Sequence, residues 1–215
     1  MAWQSFGGHA DCARVTSMDV APKLPELMTV EAFLDWEAPT SGLWQLVDGV
    51  PPAMAPPSPT HGVIQARIGQ LIGAFLDSQS SPCRIVATPG VVPASRSDIN
   101  MLIPDLAVTC SPIRQEDKAL RYPVLVIEIL SPGNQAETWI NVWACTTIPS
   151  VREIVVFRTT PIGALILRRN AEGSWPDQPA EVDRDEVALE NIGLCLPIEA
   201  VYRTTWLAIG DAARE

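Results

Sequence analysis

At 215 residues, 47% hydrophobic and 19% charged, the chain is long enough for one well-buried core and short for two ordinary domains. A mean hydropathy of +0.14, with no apolar run approaching about 18 residues, argues against a membrane-spanning helix. A net charge of -10 and a pI near 4.6 disfavour the nonspecific attraction to nucleic acid that basic patches provide, and leave Arg84, Arg96, Arg114, Arg121 and Lys118 as the cations a local positive field would draw on.

Residues 1–27 carry Gly7, Gly8, Pro22 and Pro25 without apolar periodicity and are expected to be an extension with no stable fold of its own. One folded unit is expected over 28–205, followed by a tail at 206–215. Thr29 caps a first helix holding Phe33, Leu34 and Trp36, and Thr40 to Gly42 ends it. Leu43 to Val50 reads as a strand that turns at Asp48 and Gly49 into a second strand at Ala53 and Met54. After the proline-rich break at Pro56 to Pro59 comes the clearest helix, with Ile64, Ile68, Leu71, Ile72, Phe75 and Leu76 at helical spacing and Gln65, Arg67, Gln70 and Asp77 on other faces.

Arg84 to Val92, Leu102 to Cys110 and Val124 to Leu130 are short β-branched runs bounded by proline and polar clusters, hence buried strands. A helix over Ala136 to Thr147 follows. Glu153 to Phe157, Ala164 to Arg169 and segments around Val182 and Val187 continue the sheet, with a turn at Asn170 to Gly173 and a last helical turn over Pro197 to Tyr202. This order predicts an α/β fold, a mixed sheet covered by helices on both faces.

No basic, apolar and small-residue leader opens the chain, so a cytoplasmic location is expected. Cys12, Cys83, Cys110, Cys145 and Cys195 are odd in number and never spaced as C-x-x-C, which reads as reduced thiols, with Cys110, Cys145 and Cys195 in apolar surroundings.

Two acids interrupt or border apolar strands: Asp105 after Ile103 and Pro104, and Glu128 inside Val124 to Leu130. Carboxylates rarely sit there without a partner. On adjacent strands they would share one hard cation, which takes oxygen ligands and activates water for phosphodiester hydrolysis. An acid paired with arginine, or a strand-end acid facing solvent, accounts for the same pattern. His61, at the start of the long helix, reads either as a phosphate or water contact or as a turn-capping imidazole. Trp139 and Trp143 share a helical face and, with Trp175, are assigned to core or dimer packing in preference to base stacking.

Trp44-Gln-Leu-Val-Asp-Gly49, Pro57-Ser-Pro-Thr-His-Gly62, Pro104-Asp105, Val126-Ile-Glu-Ile-Leu-Ser-Pro132 and Ile148-Pro-Ser-Val-Arg-Glu153, in that order, resemble the Uma-two family of endonucleases, of the restriction-endonuclease-like PD-(D/E)XK superfamily. The resemblance covers residues 28–205. It implies a restriction-endonuclease-like sheet flanked by helices, DNA as substrate, and Mg2+ or Mn2+ held by Asp105, Glu128 and the backbone carbonyl of Ile129, with His61 at the site. A homodimer is the expected assembly. The superfamily lysine is absent: Leu130 stands two residues after Glu128, and where relatives carry an Asp and a Lys on the next helix this chain has Glu137 and Asn141. Gln45 replaces a Glu common at its strand position. The expected activity is therefore a weak metal-dependent endonuclease, with a catalytically inactive binder of nucleic acid or protein as the alternative.

Overall fold

The computed structural model describes residues 27–208, so the expectation for the N-terminal extension falls almost wholly outside the described residues. Six strands form one sheet in the order β1 (Arg84–Ala87), β2 (Leu106–Thr109), β3 (Pro123–Leu130), β4 (Glu153–Arg158), β5 (Ala164–Arg168) and β6 (Ala180–Val182). Every neighbouring pair is antiparallel except β3 and β4, which run parallel because α3 (Gln135–Cys145) carries the chain back across the sheet. β7 (Glu186–Leu189) and β8 (Leu194–Pro197) make a separate hairpin ahead of α4 (Ile198–Tyr202).

α1 (Val30–Leu34) is a short helix capped by Thr29, and α2 (Pro59–Ser78) buries Ile64, Ile68, Ile72 and Leu76, a stripe repeating every fourth residue. Its start is set by Ser58, whose Oγ accepts from the His61 N–H at 3.2 Å, and by Pro59, which needs no N–H partner there. The stripe packs on Leu106, Val108, Leu125, Ile127 and Ile129, and the β7–β8 hairpin and α4 complete that core. Each such fully buried aliphatic side chain stabilises the fold by roughly 1.5–3 kcal/mol. α3 covers the opposite face, setting Val142 and Cys145 against Val126, Leu130, Ile154 and Val156. Helices thus cover both faces of a mixed sheet, as the order of elements predicted. Among the described residues no helix is long and apolar enough to cross a membrane.

Several expectations need correction. The run from Leu43 to Met54 does fold back on itself at Asp48 and Gly49, but through the isolated antiparallel bridges Trp44–Ala53 and Val47–Val50 instead of continuous strands, and Leu46 pairs outward with Met101. The first sheet strand stops at Ala87, where Thr88 takes a left-handed φ of 48° ahead of Pro89. The second starts at Leu106 because Pro104 cannot donate to a ladder. β8 had no counterpart in the sequence reading. Cys83 and Cys110 are joined as a disulfide and so are not free thiols. The pairing of Arg84 with Thr109 brings their neighbours opposite each other, which spacing along the chain could not reveal. Cys145 is buried as expected, but Cys195 is exposed.

Candidate active site

The register Leu106 to Ile127 sets Asp105, one residue before β2, opposite Glu128. Within β3, Glu128 alternates with Ile127 and Ile129, which belong to the α2 core, and so lies in the row of Val126 and Leu130 that faces α3. It is 7% exposed, and its Oε1 has no hydrogen-bond partner among the described residues. Burial pushes its carboxyl well above the ordinary value, the negative charge of Asp105 adds to the rise, and the Asp105 backbone opposes it. The charge of Glu128 also reaches Cys145, whose thiol is pushed up chiefly by its own burial.

Asp105 is held at four points. Its Oδ1 lies 2.8 Å from His61 Nε2, and its Oδ2 accepts from the Ile129 N–H at 2.7 Å. Its carbonyl accepts from the Thr88 N–H at 2.9 Å and from Gln65 Nε2 at 2.8 Å. The other ring nitrogen of His61 faces Ser131 Oγ at 3.4 Å, and the Ser131 N–H donates to Asn134 Oδ1 at 3.1 Å. The loop after β3 is thereby tied to the start of α2.

Asn141 and Gln45 meet each other, the Asn141 amide donating to Gln45 Oε1 at 3.3 Å, while Glu137 one turn earlier is exposed. The structure therefore groups the five side chains in two sets: Asp105, Glu128 and His61 around the end of β3, and Asn141 with Gln45 at the edge of α3. Among the described residues no lysine or arginine pairs with either acid. Lys118 pairs with Asp35, Arg96 with Asp48 and Arg121 with Asp117, so these cations are largely offset by acids of their own. Arg67 is turned to Ala200 O and Gln70.

Among the described residues no group of three or more His, Cys, Asp or Glu side chains is arranged to hold an ion. Magnesium is ordinarily bound by one or two carboxylates with solvent completing its shell, so two acids are a sufficient protein contribution. The buried Glu128 Oε1, without a partner and beside a second carboxylate, is the donor chemistry such a cation takes.

Sequence reasoning missed Gln65 as a member of this site, whereas Ser131 to Asn134 reads in the sequence as either a loop at a site mouth or a helix-entry turn. Gln65 lies four residues after His61, one helical turn on the same face, and that spacing was the available signal. Trp175 donates from Nε1 to Thr146 O at 2.9 Å beneath the Arg169 guanidinium, and Trp139 packs on the α3-side core, which are structural roles. Trp143 is 41% exposed beside Ile140.

Comparison with known proteins bears on the fold and the family. A curated protein of Synechocystis sp. (strain PCC 6803), "Uncharacterized protein slr1290", is 27% identical over 180 residues, which span 82% of this chain and 92% of the relative. A crystal structure of "a putative nuclease belonging to DUF820" from Anabaena variabilis ATCC 29413 superposes with a TM-score of 0.66 at 20% identity, covering 84% of this chain and 99% of that one, and so shares the fold. Residues 30–199 match the sequence model of the Uma2 family, described as "Putative restriction endonuclease", and the chain belongs to that family.

Proposed function

We propose that the protein is a divalent-metal-dependent endonuclease that hydrolyses DNA phosphodiester bonds, slowly. The observation that carries this reading is the buried Glu128 Oε1, which has no hydrogen-bond partner among the described residues and lies beside the Asp105 carboxylate. In this reading Asp105 and Glu128 hold Mg2+ or Mn2+. The carbonyl of Ile129 is a third donor, since a strand residue turns its C=O to the same side as the N–H that Asp105 receives. Bound there, the cation supplies Lewis-acid polarisation of a phosphoryl oxygen.

The protein's own groups orient the acids and the substrate. His61 and the Ile129 N–H fix the Asp105 carboxylate, and the His61 and Ser131 pair offers a polar contact for a phosphate oxygen. Asn141 stands where the family resemblance puts a lysine, and with Gln45 it contributes hydrogen bonds but no charge. Missing a cation that stabilises developing phosphoryl charge costs roughly 3 kcal/mol, about a hundredfold in rate.

The absence of any lysine or arginine on the acids, among the described residues, favours a second reading: a nuclease-fold protein that binds nucleic acid or a protein partner without cutting. A homodimer through α3, with exposed Ile140 and Trp143 at its centre, suits either. Incubating the protein with single- and double-stranded DNA and Mg2+ or Mn2+ separates the two. Slow, metal-dependent cleavage abolished by Asp105→Ala supports the enzyme, and DNA binding without cleavage in either metal overturns it.

A further inference from the structure

We infer that Gln65 is a positioning residue that holds the main chain of Asp105 so that its carboxylate stays set toward Glu128; this rests on the reading of those two acids as the cation-holding pair. Asp105 stands one residue outside β2, so the regular ladder does not fix it. Pro104 before it brings no N–H to pin the turn. What fixes the Asp105 carbonyl is a pair of donors from elsewhere in the fold, the Thr88 N–H at 2.9 Å and Gln65 Nε2 at 2.8 Å.

The assignment of the Gln65 amide follows from its partner. A carbonyl oxygen only accepts, so the amide must present its NH2 group to it. Gln65 is half-buried on α2, one turn beyond His61, so a single helical face grips Asp105 twice, at the carboxylate through His61 and at the main chain through Gln65. The helix is anchored in turn by its buried isoleucine stripe, and the acid inherits that rigidity. Such control matters for a small cation that requires near-ideal geometry at about 2.0–2.1 Å from each oxygen. Groups that orient a ligand from behind typically change metal affinity by about 10–100-fold when removed.

The test is calorimetric titration of Mn2+ into the metal-free protein, with thermal unfolding of the same samples. Gln65→Met keeps the length and bulk and removes the donor. Gln70→Met, exposed on the same helix, is the control, and Gln65→Ala repeats the measurement should the methionine variant fail to fold. The expected result is a loss of about 10–100-fold in Mn2+ affinity for Gln65→Met or Gln65→Ala, with the metal-free melting temperature within a few degrees of wild type and Gln70→Met unchanged. Wild-type affinity in both Gln65 variants, or an equal loss in Gln70→Met, overturns the positioning role alone. Absence of Mn2+ binding in the unaltered protein, indistinguishable from Asp105→Ala, overturns the cation reading and the positioning role together.

Discussion

Asn141 and Gln45, 96 positions apart in the chain, meet in the structure, the amide of one donating to the amide oxygen of the other at 3.3 Å. The pair is neutral and half-buried. Replacing Asn141 with lysine puts a charge where the family resemblance places one, and among the described residues no lysine or arginine pairs with Asp105 or Glu128. Asn141→Lys is expected to raise metal-dependent cleavage of DNA by about tenfold or more, through stabilisation of developing negative charge. Initial rates on one DNA substrate for both proteins decide it. An unchanged or lower rate, with Mn2+ affinity intact, removes Asn141 from the catalytic account.

Glu128 carries a pH signature with a definite sign. Its folded pKa is raised above the ordinary 4.5, by burial first and the neighbouring Asp105 charge second. The stability it contributes to the metal-free protein is therefore fully present below the unfolded value and is lost as pH rises through the folded one. Metal-free melting temperatures of Glu128→Gln should fall less over that rise than those of wild type. Mn2+ affinity of the unaltered protein should strengthen over the same range as the competing proton leaves. Parallel pH profiles for the two proteins would contradict this.

Glu153 is fully buried and accepts from Arg168 Nε at 3.0 Å and Nη2 at 2.7 Å, while Arg168 also pairs with Glu190 at 2.9 Å. Asn191 donates to its second oxygen from N and Nδ2 at 3.4 and 3.3 Å, so one carboxylate joins the central sheet to the segment linking β7 and β8. Glu153→Ala should cost roughly 3 kcal/mol in denaturant unfolding, by stranding the arginine and the Asn191 donors. A cost below about 1 kcal/mol would mean that Glu190 and solvent replace it.

Tyr202 is buried, its hydroxyl set between Arg158 O at 2.7 Å and Gly163 O at 2.9 Å. Tyr202→Phe should destabilise the protein by about 1–3 kcal/mol, because it removes the hydroxyl donor from the Arg158 carbonyl, while the Gly163 carbonyl keeps the Arg158 N–H at 3.0 Å. Burial pushes the phenol from 10.0 up to about 12. With a raised folded pKa, its contribution is whole below pH 10.0 and disappears as pH rises through about 12. Unfolding midpoints between those limits should fall faster for wild type than for Tyr202→Phe.

Much of this architecture was legible because its signals are local. The isoleucine stripe of α2 and the apolar run of β3 declare their own periods, and a charged residue within such a run marks itself as exceptional. The turn expected at Asp48 and Gly49 is there, but Leu43 to Met54 pairs only through isolated bridges, and the contact of Leu46 with Met101 lay beyond any local signal. The disulfide and the Gln65 contact were invisible for a related reason: each depends on which strand or helix lies opposite, which no window of sequence contains. Asp105 and Glu128 stood out one at a time, whereas their placement across from each other is a property of register.

The contacts that make the site join residues far apart in sequence: 24 positions between Asp105 and Ile129, 44 between His61 and Asp105, and 96 between Gln45 and Asn141. Each requires closing a long loop before it returns any energy. Non-local pairings of this kind slow folding, so the site is expected among the last parts of the domain to assemble. A chain whose β3–α3–β4 unit has formed but whose α2 has not yet docked would have Glu128 in place with Asp105 lacking its His61 and Gln65 contacts, and during refolding Mn2+ binding should lag behind the recovery of helical circular dichroism.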